Sequence, residues 1–504
     1  MKHIKSLLYI FSIACLLSCN QDDGKIEFTF LQLNDVYEIA PIQGGKYGGL
    51  ARVATVRQQL LKENKNTMLF MAGDFLNPSL LGTVKYQGER IRGKQMIEVM
   101  NALQFDLVAF GNHEFDLKKN DLQRRLNESD FEWISSNVLE KVDGATKPFY
   151  RMRNGVKHNV LDTIIKKFED ADGTKVSIGF ISVCIDSNPK EYVQYNDMFM
   201  EAKRAYTSLK DQVDVVFGLT HGTMAQDKKL LELLPNIPLI MGGHEHTNML
   251  VPVGNSIVAK ADANAKTAYI HRISFDVKTK KTTINSELKE INKEVVTDKK
   301  VGDLVAKWQA ILDIKIKDII DNPDEIIYTA ITPLDARDAQ IRSQQTNMGT
   351  VITKSMSFAF NNQVDCALVN GGSIRIDDEL AGAINAVDIF RVLPYGGPIL
   401  KVKLTGKLLQ EVLIFGVKAA GTGAYLQKYN VAEVDGVWKV KGKKINPNKI
   451  YTVAFSDYLL KGLDIPFLSD KNSGIRAIYQ PKNTEIAYDI RKSVILYLKS
   501  LAAN

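Results

Sequence analysis

Between residues 25 and 290, short apolar runs rich in β-branched residues alternate with segments whose apolar positions recur at helical spacing. Short apolar runs bounded by polar residues read as buried strands, and their alternation with helical patterns predicts βαβ units feeding a largely parallel sheet. Strands are expected over residues 26–33, 67–71, 107–110, 176–183, 213–219 and 237–241, each followed closely by polar residues. Residues 294–321 place Val301, Leu304, Val305, Trp308, Ile311, Leu312, Ile316 and Ile319 on one helical face, which predicts an amphipathic helix joining two domains. A new pattern begins near residue 335, with helices expected near 347–360 and 406–415 and strands near Ala367, Ile399 and 451–455. The α/β pattern thus divides into a first domain over 26–290, a linker over 291–334 and a second domain over 335–504.

The extreme N-terminus follows a different pattern. Lys2, His3 and Lys5 precede an apolar run from Ser6 to Leu17, about a dozen residues and too short to span a bilayer as a helix. This reads as a secretory signal over residues 1–18. Leu16-Leu17-Ser18-Cys19 resembles a bacterial lipobox, with Cys19 as the lipid attachment site and residues 19–25 as a solvated tether. The expected location is the bacterial outer membrane or cell envelope, on its periplasmic or surface face.

Composition narrows the function. A chain of 504 residues with 45% hydrophobic and 24% charged residues has ample core for two domains and is neither disordered nor fibrous. Its 65 basic and 58 acidic residues give +7, which falls to +5 without Lys2 and Lys5. No basic run or basic aromatic stripe accompanies that charge, so no nucleic-acid polymer is implied as a partner, and no protein partner either. With Cys15 removed and Cys19 lipidated, only Cys184 and Cys366 remain, each inside a strand-like run and far apart, so they read as buried small hydrophobes and not a disulfide framework.

The chemistry sits at five strand ends: Asn34-Asp35-Val36-Tyr37, Gly73-Asp74, Gly111-Asn112-His113-Glu114-Phe115-Asp116, Thr220-His221 and Gly243-His244-Glu245-His246. In an open α/β sheet ligands bind beyond the carboxyl ends of the strands, so these residues should converge. Four of the seven histidines belong to this set, whereas His158 and His271 read as surface or structural residues. Carboxylate, imidazole and amide oxygen without thiolate suit Mn, Zn, Fe or Co, and Asp74 is the natural bridge between two ions. Two metals held a few Å apart activate water for displacement at phosphorus, which points to phosphoester hydrolysis.

The ordered set Asp35, Asp74, Asn112-His113, His221 and His244-Glu245-His246 resembles the calcineurin-like metallophosphoesterases, and Gly111-Asn112-His113-Glu114-Phe115-Asp116 has the form typical of the 5'-nucleotidase family, which includes bifunctional UDP-sugar hydrolases. The resemblance implies a four-layer α/β/β/α sandwich followed by a second α/β nucleotidase C-terminal domain. It further implies Asp35, Asp74, Asn112, His221, His244 and His246 as ligands of two divalent ions (Mn, Zn or Co), with His113 and Asp116 as the catalytic dyad. In the second half, Thr346-Asn347-Met348-Gly349, Asn370-Gly371-Gly372-Ser373-Ile374-Arg375, Leu393-Pro394-Tyr395-Gly396-Gly397 and Ser456-Asp457-Tyr458 resemble the domain that binds the nucleoside. There Arg375 would hold phosphate, Tyr395 and Tyr458 would sandwich the base, and Asp464 would accept from the ribose.

The chain departs from the family pattern at several positions. Tyr37 stands where the family carries a metal-binding histidine, which puts metal site one in question. Gln344 replaces a phosphate-binding arginine, for which Arg342 is the candidate substitute, and Leu463 precedes Asp464 in place of glycine. The expected activity is hydrolysis of nucleoside 5'-monophosphates. A 2',3'-cyclic phosphodiesterase or UDP-sugar hydrolase is the alternative within the class, and a catalytically impaired nucleotide-binding lipoprotein is the alternative outside it.

Overall fold

Two six-stranded sheets face each other in the N-terminal half. The first runs in the order Lys281–Glu290, Thr267–Asp276, Lys25–Leu33, Thr67–Ala72, Leu107–Ala109, Glu132–Ile134. Its last four strands are mutually parallel, and the remaining hairpin joins antiparallel. The second runs Thr163–Glu169, Lys175–Ile181, Val215–His221, Leu239–Gly243, Ser256–Lys260, Met249–Val253, with a parallel centre between antiparallel edges. This computed structural model describes residues 23–187 and 189–503. The expected signal segment and Cys19 lie outside the described residues. Among the described residues no helix is long and apolar enough to cross a membrane.

Alternation along each strand explains the layering. Phe28 and Phe30 point between the sheets, where they meet Phe70, Phe180 and Phe217 in edge-on and tilted contacts 4.9–6.1 Å between ring centres. Leu31 and Leu33 point the other way and pack under the helices Leu50–Glu63 and Lys94–Leu103. The outer face of the second sheet, through Val216, Ile240 and Val258, is covered by Met198–Leu209 and Met224–Leu233. The result is the expected helix, sheet, sheet, helix sandwich. All six expected strands are present, with ends displaced by a few residues at most.

The linker helix is Lys299–Lys317, shorter at both ends than its apolar pattern, and Asp298 caps it by accepting from the Val301 N–H. Val301, Val305, Trp308, Leu312 and Ile316 are buried. The helix packs against Leu50–Glu63 and Lys94–Leu103 of the first domain. All but the last residue of the strand Ile326–Asp335 lies in the segment read as linker, yet the strand pairs with Glu379–Asn385 of the second domain. That second domain is a five-stranded sheet, Leu426–Tyr429, Cys366–Asn370, Ile450–Ser456, Ile399–Thr405, Ile475–Tyr479. Asn347–Phe358 and Ile490–Ala502 pack against each other on one face, and Gly406–Lys418 covers the other. Cys184 and Cys366 are buried free thiols.

Candidate active site

The parallel strands of both sheets end on the same side, and the loops that leave them meet there. Asp35 follows the first strand, Asp74 the second and Asn112-His113 the third; His221 ends the central strand of the opposite sheet and His244 follows its neighbour. Register fixes the last pair, because His221 lies beside Gly243. Asp35, Asp74 and His244 all adopt left-handed backbone at φ 53, 56 and 86, a strain that non-glycine residues carry only where the surroundings impose it. Space is equally constrained. A Cβ on Gly111 would lie 2.1 Å from Asp74 Oδ1, and one on Gly243 would lie 2.2 Å from the Ala72 carbonyl oxygen.

Asp35, Asp74 and His221 bring one donor atom each within 4.8 Å of the others, all buried. Asp74 Oδ1 accepts from the His113 N–H at 2.7 Å, and its Oδ2 lies 3.1 Å from His221 Nε2. Asn112 Oδ1 is 3.2 Å from the same imidazole nitrogen. His221 Nδ1 faces the Ala72 carbonyl oxygen at 2.7 Å, an orientation that leaves Nε2 for a metal. Asp35 Oδ2 accepts from Asn34 Nδ2 and the His244 N–H, both at 2.9 Å, while buried Oδ1 has no hydrogen-bond partner and lies 3.5 Å from His246 Nε2. Burial and the neighbouring His221 lower the pKa of His244 to about 4, whereas, against the opposing pull of burial, Asp74 and Asp35 raise that of His221 to about 9. These buried oxygens and imidazole nitrogens fit divalent cation binding.

Beside this set lies the candidate dyad. His113 Nδ1 is 2.8 Å from Asp116 Oδ2, and the same oxygen accepts from Asn77 Nδ2 at 2.8 Å and from Arg375 Nη2 at 2.6 Å. Burial opposes the charged forms of both groups, yet Asp74 and Asp116 raise His113 to about 9, and His113 and Arg375 hold Asp116 well below the usual carboxylate range. Arg375 belongs to the second domain, so the dyad is completed across the domain boundary.

A cavity of about 850 Å³ runs from Asp74, Asn112, His113, His244 and His246 to the second domain. Its far walls carry Arg342, Arg375, Tyr395, Tyr458 and Asp464, the positions singled out from the sequence. Tyr395 is half exposed to the cavity. Asp464 accepts from Asn370 Nδ2 at 2.7 Å and from the Tyr458 hydroxyl at 3.3 Å. Arg342 pairs with Asp338 at 2.5 Å. His158 is exposed, and His271 is buried between Ser286 Oγ and Gln32 Oε1, outside the site as expected.

Three supporting groups were not singled out from the sequence. Glu114 accepts four backbone N–H groups, from Gly111 and Asp74 through Oε2 and from Phe75 and Leu76 through Oε1, at 2.7–3.0 Å. Lys260, fully buried, donates to the carbonyls of Gly222 at 2.5 Å and Gly243 at 2.8 Å and pairs with Asp227 at 2.9 Å and with Glu245. It ties the loop after His221 to the loop of His244 and His246. Asp377 reaches His246 from the second domain. Of these, only Glu114 lay within a motif quoted for its chemistry.

Fold and site together define a metallophosphoesterase, and comparison with known proteins agrees. Residues 28–248 match the calcineurin-like phosphoesterase family and residues 326–469 match the 5'-nucleotidase C-terminal domain. The chain belongs to the 5'-nucleotidase family of calcineurin-like phosphoesterases and is a phosphoric ester hydrolase. A snake venom 5'-nucleotidase of Naja atra is 25% identical over 472 residues, covering 84% of each chain. The trifunctional nucleotide phosphoesterase protein YfkN of Bacillus subtilis is 26% identical over 443 residues, covering 80% of this chain and 29% of that one. The crystal structure of a 5'-nucleotidase precursor from Thermus thermophilus shares the fold, with a TM-score of 0.67 and 21% identity over 94% of this chain and 97% of that one.

Proposed function

We propose that the chain hydrolyses nucleoside 5'-monophosphates to nucleoside and phosphate, and that it does so outside the cytoplasm, anchored through a lipid on Cys19. The observation that carries the substrate reading is the cavity that joins the metal-ligand candidates to Arg375, Tyr395, Tyr458 and Asp464. Asp35, Asp74, Asn112, His221, His244 and His246 would hold two divalent ions. Ions held there supply Lewis acidity and a water activated at neutral pH.

The remaining steps belong to the chain's own side chains. Asp116 holds His113 by Nδ1, which leaves Nε2 to stabilise the charge on phosphorus and to give a proton to the leaving ribose oxygen. Arg375, already beside Asp116, would meet the phosphate with its planar guanidinium. Tyr395 and Tyr458 would stack on the base, and Asp464, oriented by Asn370 and Tyr458, would accept from ribose hydroxyls.

Turnover of AMP, UDP-glucose and a 2',3'-cyclic nucleotide by the purified chain, supplied in turn with Mn, Co and Zn, tests the reading. AMP should have the highest kcat/KM. Retained nucleotide binding with no turnover under any metal would replace it with a nucleotide-binding lipoprotein.

A further inference from the structure

His246 is a metal-ligand candidate whose surroundings come from both domains. Its Nδ1 faces the backbone carbonyl of Asp377 at 2.6 Å, and its Nε2 lies 3.1 Å from the Tyr37 hydroxyl, 3.3 Å from Asp377 Oδ2 and 3.5 Å from Asp35 Oδ1. Asp377 Oδ1 is engaged by the Asp338 N–H at 2.6 Å, so the carboxylate turns Oδ2 toward the histidine. Asp35 Oδ1, in a fully buried residue, has no hydrogen-bond partner.

Ligands bound to one divalent ion at about 2.0–2.2 Å lie about 3–3.5 Å from their neighbours in the shell. The spacings around His246 Nε2 fall in that range, although a lone imidazole nitrogen can donate at most one hydrogen bond. The carbonyl contact at Nδ1 is the partner that a metal-bound histidine normally has on its other nitrogen. Here the second domain provides it. Tyr37, where the resemblance would place another imidazole, brings a phenol, a weaker donor than a carboxylate.

We propose that Asp377 completes this metal site from the second domain: its Oδ2 serves as a ligand beside Asp35 and His246, and its carbonyl orients His246. The inference rests on the metal-dependent reading above. A carboxylate in place of an imidazole shifts the donor set toward oxygen, which favours manganese over zinc at this position. Retention of the ion then depends on docking of the second domain, because one of its ligands travels with that domain.

The test is titration of the metal-stripped full chain with Mn²⁺, followed by calorimetry and by electron paramagnetic resonance, for wild type, Asp377→Asn, Asp377→Ala and Asp377→Ala with Tyr37→His. Asparagine tolerates the left-handed backbone that Asp377 adopts at φ 45, so Asp377→Asn guards against a folding artefact. The wild type should take up two ions with an exchange-coupled signal. Both single variants should bind one of the two at least about tenfold more weakly, with the coupled signal lost at low Mn²⁺, and the added imidazole should restore it. Wild-type affinity at both sites in both single variants would overturn the assignment while leaving the metal-dependent reading intact. A folded wild type that binds no Mn²⁺, Co²⁺ or Zn²⁺ would overturn both.

Discussion

Arg375 of the second domain donates through Nη2 to Asp116 Oδ2 of the first at 2.6 Å, and that oxygen is also the partner of His113. The cation proposed to meet phosphate and the histidine proposed to act as acid therefore converge on one oxygen atom. On the proposed reading, substrate phosphate would draw Arg375 from Asp116 or meet it there, so the arginine would link substrate arrival to His113.

Removal of this cation in Arg375→Ala should lower kcat/KM for AMP by about a hundredfold, the scale of losing one preorganised charge stabiliser. Arg375→Lys should recover only part of it, since an ammonium cannot span two oxygens in a plane. Steady-state kinetics on both variants decide this; equal activity in lysine and wild type would show that charge alone suffices.

His113→Ala should reduce kcat by about a hundredfold to ten-thousandfold, the range for a positioned acid, while metal content stays near wild type. The side chain points to Asp116 through Nδ1, and its backbone N–H is the group that contacts Asp74, so a ligand loss is not expected. Metal analysis beside the kinetics separates the two roles. Depleted metal would make His113 a ligand.

Lys260→Met leaves Asp227 and Glu245 without their buried cation, and breaking such a pair costs about 3–5 kcal/mol. A lowered Tm is the first expectation. Metal affinity should fall as well, because Lys260 holds the carbonyls of Gly222 and Gly243 next to His221 and His244. Unchanged metal binding at a lowered Tm would confine Lys260 to a purely structural role.

His271, which is not among the candidate metal ligands, gives a pH dependence of stability. Burial lowers its pKa to about 3, against about 6.5 in an unfolded chain, so the unfolded chain binds the proton more readily between those values. Stability from the neutral imidazole is complete above pH 6.5 and is lost as pH falls toward 3, about 2 kcal/mol of it by pH 5. His271→Gln can retain the contacts with Ser286 and Gln32 without titrating. Its Tm should fall less than that of the wild type between pH 7 and pH 5, and parallel curves would refute the assignment.

Much of this was legible in the chain. The apolar runs located every parallel strand that delivers a candidate ligand, because buried central strands are apolar on both faces. The hairpin Thr267–Asp276 and Lys281–Glu290 escaped notice, since polar residues such as Arg272 and Ser274 interrupt its apolar positions and only the pairing across the hairpin completes it. The helix Ile490–Ala502 went unread although Asp489 caps it and Val494 and Leu498 are buried. Among site residues, those inside motifs were visible and those that act through tertiary contact were not. Asp377 and Lys260 are ordinary charges in sequence, and only the meeting of distant segments gives each its neighbours.

The four N–H bonds to Glu114 hold the Gly73-Asp74 turn and the Gly111-Asn112 turn together through protein atoms alone. A cradle kept in shape in that way does not need its cargo in order to persist. Chelation should therefore yield a folded protein that regains activity on refilling with metal.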